Sequence, residues 1–224
     1  MPEGSRLSLA RLGAACYKPF IQSFIRLLNP LQNVSGGADA EDRRRSPSVD
    51  LAVVTVFAAL IALATFLSIK LPTPLGEITW APPIYMALSV LAGSRTGFTA
   101  TAIGSFIGES LNVAFLGWPA IYAPGIVWAR APEALIIGWA RRKGPKMLAA
   151  SMVFATVYET LLFFFPDWFF YTYGLFSYGS PTSVALGFSA AAPDLLTLLD
   201  LAFIPVAFIL ISVARPAFRR LGYE

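Results

Sequence analysis

LAVVTVFAALIALATFLSI, residues 51–69, decides the fold class, because it runs for 19 residues without a charge. A helix crossing the roughly 30 Å hydrocarbon core of a bilayer needs about 20 predominantly apolar residues. Five more such stretches follow, at 78–93, 96–116, 119–140, 147–165 and 184–214. They predict an all-α membrane protein of six transmembrane helices. The second is short, with Pro82 and Pro83 near its start, and the sixth is long enough to imply tilt or a loop portion at its beginning. The whole chain agrees: 224 residues are 56% apolar and 13% charged, with a mean hydropathy of +0.64. A soluble domain carries about 25% charged residues, so an ordinary soluble enzyme is excluded.

The basic residues set the orientation. Arg43, Arg44, Arg45, Arg95, Arg141, Arg142, Lys143, Lys146, Arg215, Arg219 and Arg220 fall at the termini and in alternate loops, eleven on one side. The remaining loops hold Lys70 alone, beside the acids Glu77 and Asp167. Positive charge collects on the cytoplasmic side, so both termini are expected in the cytoplasm of a multi-pass protein of the cell membrane. The same rule accounts for a pI near 9.4 without nucleic acid as a partner. Trp80, Trp118, Trp168 and the tyrosines at 171 and 173 fall where the outer interface is expected, the level at which amphipathic rings settle.

Residues 1–50 differ in kind and form a basic amino-terminal extension ahead of a transmembrane domain at 51–220. Leu7, Leu9, Leu12, Phe20, Phe24, Leu27 and Leu28 recur at near-helical spacing with Arg6, Arg11, Lys18 and Arg26 between them. That pattern predicts an amphipathic helix lying on membrane lipid. Residues 32–49, with Gly36-Gly37 and a mixed charge run, read as a linker.

Chemistry is narrowed by what is missing. With no histidine and a single cysteine, Cys16, the chain offers no Cys/His zinc site, no disulfide framework and no histidine-based catalysis. No metal site, cofactor or enzymatic activity is expected. Attention falls instead on the charges inside the apolar stretches, which cost about 2.5–3.5 kcal/mol each on insertion scales and so default to a paired or functional role. These are Glu109, Arg130, Glu133, Glu159, Asp194 and Asp200, with Glu77 at a span edge. Traced through the topology, Glu109 and Asn112, Tyr158 and Glu159, and Asp194 all reach the outer half of the bilayer, with Tyr122 and Trp128 near the same level and Arg130 close to the centre. Arg130 and Glu133, three apart on one helix face, can pair locally. The acids still outnumber the single arginine, so protons or a cationic ligand must balance them. A substrate site built from Glu109, Asn112, Tyr122, Trp128, Arg130, Tyr158, Glu159 and Asp194 follows, the aromatic rings suiting a flat or cationic ligand.

In span one, Ala58 and Ala62 lie one turn apart and allow close helix approach. Gly97, Gly104 and Gly108 in span three suggest tight packing within the chain. These glycines with Glu109, the Tyr122-Ala-Pro124-Gly125 start of span four, its Gly138-Trp-Ala-Arg141-Arg142 exit and the alanine pair together resemble the substrate-binding S component of energy-coupling factor (ECF) transporters. The resemblance covers roughly 51–220, most of the chain, and implies a six-helix protein that binds a vitamin or a metal at its outward face. It implies docking through helix one onto a transmembrane T component driven by two ATPases, with Ala58 and Ala62 at that contact. It also implies that residues 71–83, with Pro72, Pro74 and Trp80, cap the site. Nickel and cobalt members capture metal with an amino-terminal histidine, which this chain lacks; the acidic and aromatic groups together point instead to an organic vitamin or precursor, a cationic one among the options.

The function expected is therefore the specificity subunit of an ATP-driven importer. It has no Walker-type glycine loop of its own, so ATP hydrolysis falls to a partner. The alternative is an ion-coupled secondary transporter using Glu109, Glu159 or Asp194. An intramembrane hydrolase needs two carboxylates sharing a site, and Asp194 and Asp200 are about 120° off a common helix face. A scaffold without a ligand is the last reading, in which the outer acids affect stability alone.

Overall fold

The computed structural model describes residues 46–70, 77–175 and 180–223. The expected interfacial helix and most of the linker lie outside them, as do residues 71–76 of the expected cap. The described residues are all helical in their regular elements apart from one small hairpin. Its elements are α1 (Pro47–Phe66), β1 (Ile69–Lys70), β2 (Glu77–Ile78), α2 (Ala81–Ala92), α3 (Ser94–Leu116), α4 (Tyr122–Ala140), α5 (Pro145–Tyr173), α6 (Val184–Ala191), a 3₁₀ stretch (Ala192–Phe203) and α7 (Ile204–Arg220). The two strands pair antiparallel, Ile69 with Ile78 and Lys70 with Glu77. Proline marks the first turn of α1, α2, α5 and α7, where its missing N–H costs no hydrogen bond.

Three stretches are long and apolar enough to cross a membrane among the described residues: α1, α5 and the 37-residue run Val184–Arg220. α3 and α4, the third and fourth expected spans, fall outside these three, and the second, fifth and sixth expected spans take a different form. The second becomes α2, whose 12 residues reach only about 18 Å. Eleven of those residues are buried, so α2 runs inside the protein and has no need to match the lipid. The fifth does not stop at 165: α5 continues to Tyr173 through Pro166, and Asp167 is a buried helix residue rather than part of an outer loop. The sixth is a broken helix, with Pro193 opening the 3₁₀ stretch and Pro205 starting α7.

In lipid there is little hydrophobic gain in pressing apolar helices together, so close packing and polar contacts decide the arrangement. The α1–α3 contact is one example. A Cβ added at Gly104 would lie 2.6 Å from the Ala58 carbonyl oxygen, and one at Gly108 would lie 2.6 Å from that of Ala62. The glycines of span three thus pack within the chain as their spacing predicts. Ala58 and Ala62 are buried by the same contact. This corrects the expectation that these two face a T component: the outward face of α1 carries Leu51, Thr55, Ala59 and Leu63 instead. At the other side of the fold α2 packs on α7, and the Tyr223 hydroxyl donates to the Asp50 carboxylate, joining the segment after α7 to the start of α1.

Gly108→Ala should lower stability by about 1–3 kcal/mol through overpacking against backbone. Gly125→Ala, with nothing within 4 Å of the added carbon, should be near neutral. Thermal midpoints of the two variants in the same detergent check the contrast; equal midpoints would show that α1 and α3 are not held at this distance.

Candidate functional site

The sequence of α4 places an arginine where it cannot reach water. Tyr122, Ile126, Ala129, Arg130, Glu133, Ile137 and Ala140 recur at helical spacing and are all buried, while Trp128, Leu135 and Trp139 cover the opposite, exposed face. Alanines at 129, 131 and 134 keep the buried side flat enough for neighbouring helices to approach.

Arg130 gathers partners from three other parts of the chain. Its Nε lies 2.7 Å from Oε1 of Glu159 on α5. One Nη donates to the Thr79 hydroxyl just ahead of α2 at 3.0 Å, and the other to Thr65 near the end of α1 at 3.3 Å. The planar guanidinium fixes its donors in one fork, which suits it to tie several elements at once. The pairing expected between Arg130 and Glu133 within α4 is replaced by this bond between helices. Glu133 turns to α2 instead, where Tyr85 donates to its Oε1 at 2.8 Å. The Tyr85 hydroxyl is also 3.4 Å from Oε2 of Glu159, but with one proton it makes the shorter bond. Asp200 on the 3₁₀ stretch is buried and within electrostatic reach of both Tyr85 and Arg130. Six chain segments therefore converge on one buried polar network, in which Glu133 Oε2 has no hydrogen-bond partner among the described residues.

A second group adjoins it. Glu109 and Asn112 on α3 are fully buried, and the Asn112 amide donates to Glu109 Oε2 at 3.1 Å. Thr65 links the two groups: it accepts from Arg130 and packs against Gly108, the neighbour of Glu109. Farther along α5, Tyr122 donates to buried Asp167, and Asp194 stands in electrostatic contact with the same aspartate. Aromatic rings close this side, with Trp118 on Tyr122 and Trp168 among Phe164, Phe165 and Phe188.

Of the eight residues expected at a substrate site, six fall in these two groups: Glu109, Asn112, Tyr122, Arg130, Glu159 and Asp194. Trp128 and Tyr158 do not. Trp128 is 75% exposed on the outer face of α4. Tyr158 has a backbone role that the sequence does contain. Pro132 has no N–H, so the carbonyl four residues earlier, at Trp128, loses its helical partner, and the Tyr158 hydroxyl donates to that oxygen at 3.3 Å. Sequence reasoning missed Thr65, Thr79, Tyr85 and Asp167 as site residues. Only Tyr85 left a signal, as the one hydrogen-bonding aromatic in the apolar run APPIYMALSVLA.

A buried polar centre lies among apolar helices, three stretches of which, among the described residues, are long enough to cross a membrane. Residues 47–190 match the family model described as "ECF-type riboflavin transporter, S component", and the chain belongs to that family. No curated protein and no solved structure matches it. S components are subunits of transporters and not enzymes. The matched region contains both polar groups except Asp194 and Asp200.

Arg130→Met and Glu159→Leu should each cost about 3–5 kcal/mol, since either leaves an uncompensated buried charge, and the double variant should lose less than their sum. Unfolding midpoints of the four proteins give the coupling energy. Additive losses would mean that the pair does not hold α4 to α5.

Proposed function

We propose that this chain is the riboflavin-specificity subunit of an ATP-driven importer. It crosses the cell membrane six times with both termini in the cytoplasm, and the vitamin enters from the outward face. The observation that carries the reading is the convergence of Arg130, Glu159, Thr65, Thr79 and Glu109 from five segments beside the β1–β2 hairpin, in a chain of this family. Riboflavin is a flat, uncharged ring system with an imide edge and a chain of hydroxyl groups. Carboxylates and a guanidinium suit the hydroxyls and the imide, and Trp118 with Tyr122 suits the ring face. A neutral vitamin replaces the cationic ligand inferred from the excess of acids.

Two features support the topology. The α2–α3 junction at Gly93 lies against Arg141, and Arg141, Arg142, Arg215 and Arg219 share one end of the bundle, as cytoplasmic loops would. Because α2 is buried, it completes the second crossing together with the hairpin without spanning lipid alone. Docking on a T component falls to the exposed face of α1, where Thr55 and Ala59 form a flat strip between Leu51 and Leu63; two ATPases then supply the energy.

Titration of riboflavin with purified protein, read by quenching of flavin fluorescence, tests the substrate. Glu159→Gln should weaken binding about tenfold or more, as loss of a charged hydrogen-bond acceptor does, while Trp128→Phe should leave it unchanged. Ala59→Leu should keep flavin affinity and lose co-purification with coexpressed T component. Absence of quenching by the unaltered protein overturns the substrate assignment. Uptake by this chain alone in proteoliposomes under an ion gradient would point to a secondary transporter instead.

A further inference from the structure

At the end of the bundle away from the β1–β2 hairpin, a cavity of about 540 Å³ is lined by Val90, Leu91, Arg141, Arg142, Arg215, Phe218, Arg219 and Tyr223. Its volume lies within the range of small-molecule sites, about 300–1,000 Å³. Four of the eight lining residues are arginines, and none of the described residues lining it is acidic. Arg215 and Arg219 are one turn apart on α7, a like-charge spacing that destabilises a helix by itself. Arg141 and Arg142 come from the end of α4, on the far side of the cavity. The positive-inside rule explains why basic residues lie at this end of the molecule, but it does not direct them into one hollow: Lys143 and Lys146 belong to the same loop and are not part of the lining. Lys143 turns away onto the Trp139 ring, 3.0 Å from its centre.

The arginine side is built rather than incidental. Gly93 has φ +94°, and a Cβ there would stand 2.6 Å from an Nη of Arg141. The chain thus gives up a side chain at a helix junction where the guanidinium lies. Val90, Leu91 and buried Phe218 supply an apolar wall beside the charges. Forked guanidinium donors match the oxygens of a phosphate in pairs, and basic pockets between membrane helices at the cytoplasmic surface take anionic headgroups.

We infer that this cavity binds a phosphate-bearing anion, with the headgroup of an acidic phospholipid as the source its apolar wall favours and free phosphate as the other. The site is separate from the vitamin site and does not depend on the identity of that substrate. Binding fixes α7 to the α4–α5 turn through the anion, joining two elements that otherwise approach with like charge.

The test uses the full-length protein in neutral detergent, with native mass spectrometry counting retained lipid and thermal midpoints followed during titration. The probes are phosphatidylglycerol, zwitterionic phosphatidylcholine and inorganic phosphate. Phosphatidylglycerol should be retained and raise the midpoint while phosphatidylcholine does neither. If inorganic phosphate raises the midpoint and displaces the lipid, the source is the free anion; if it does not, the source is the headgroup. The double variant Arg215→Gln/Arg219→Gln should weaken the anion about tenfold or more, whereas Lys143→Gln/Lys146→Gln should change it less than about twofold. All four positions are exposed, and unchanged circular dichroism and elution establish that each variant folds. Equal retention of the two lipids, equal losses in the arginine and lysine variants, or no binding of any probe overturns the inference.

Discussion

The ion pair between Arg130 and Glu159 is the constraint on which the rest of the structure depends. A guanidinium 4% exposed and a carboxylate with no exposure cannot be left singly in a low-dielectric interior. Each partner therefore dictates where its helix sits, and the remaining donors dictate what else must approach. Thr65 and Thr79 bring the end of α1 and the start of α2 to the same point, and Tyr85 with Glu133 closes the space between α2 and α4. The two threonines that flank the hairpin segment thus meet at one cation.

Packing then fills what the polar centre leaves. Lipid competes on equal terms for apolar side chains, and α1 and α3 touch through glycine and alanine, which let their backbones approach. Gly104 and Gly108 let α1 lie against α3 closely enough for Thr65 to reach Arg130. The same economy of side chains that brings the backbones together also positions Glu109 beside the network.

The membrane class, the helix content and the contacts of the span-three glycines were legible from composition and spacing, because apolar length and small-residue periodicity are local properties. Charges buried in apolar runs likewise marked Glu109, Arg130, Glu159 and Asp194. What could not be read was partnership. The choice of Glu159 over Glu133 for Arg130 depends on which helix lies beside α4, and threonines near helix ends carry no mark of an arginine across the bundle. Ala58 and Ala62 fit a docking strip as well as Thr55 and Ala59 do until α3 covers one face. Hydropathy also treats a short helix enclosed by protein as a weak span, which is why α2 looked deficient, and it treats Asp167 as the end of a span because a single acid followed proline.

The enclosure of α2 bears on how the protein is made. This helix is synthesised well before α7, yet part of its surface is covered by α7. With about 18 Å of length and two prolines at its start, it is poorly equipped to sit alone in a bilayer. Until α7 follows, it must shelter against α1 and α3 or wait at the insertion machinery. The Tyr223 bond to Asp50 then joins the segment after α7 back to the start of α1.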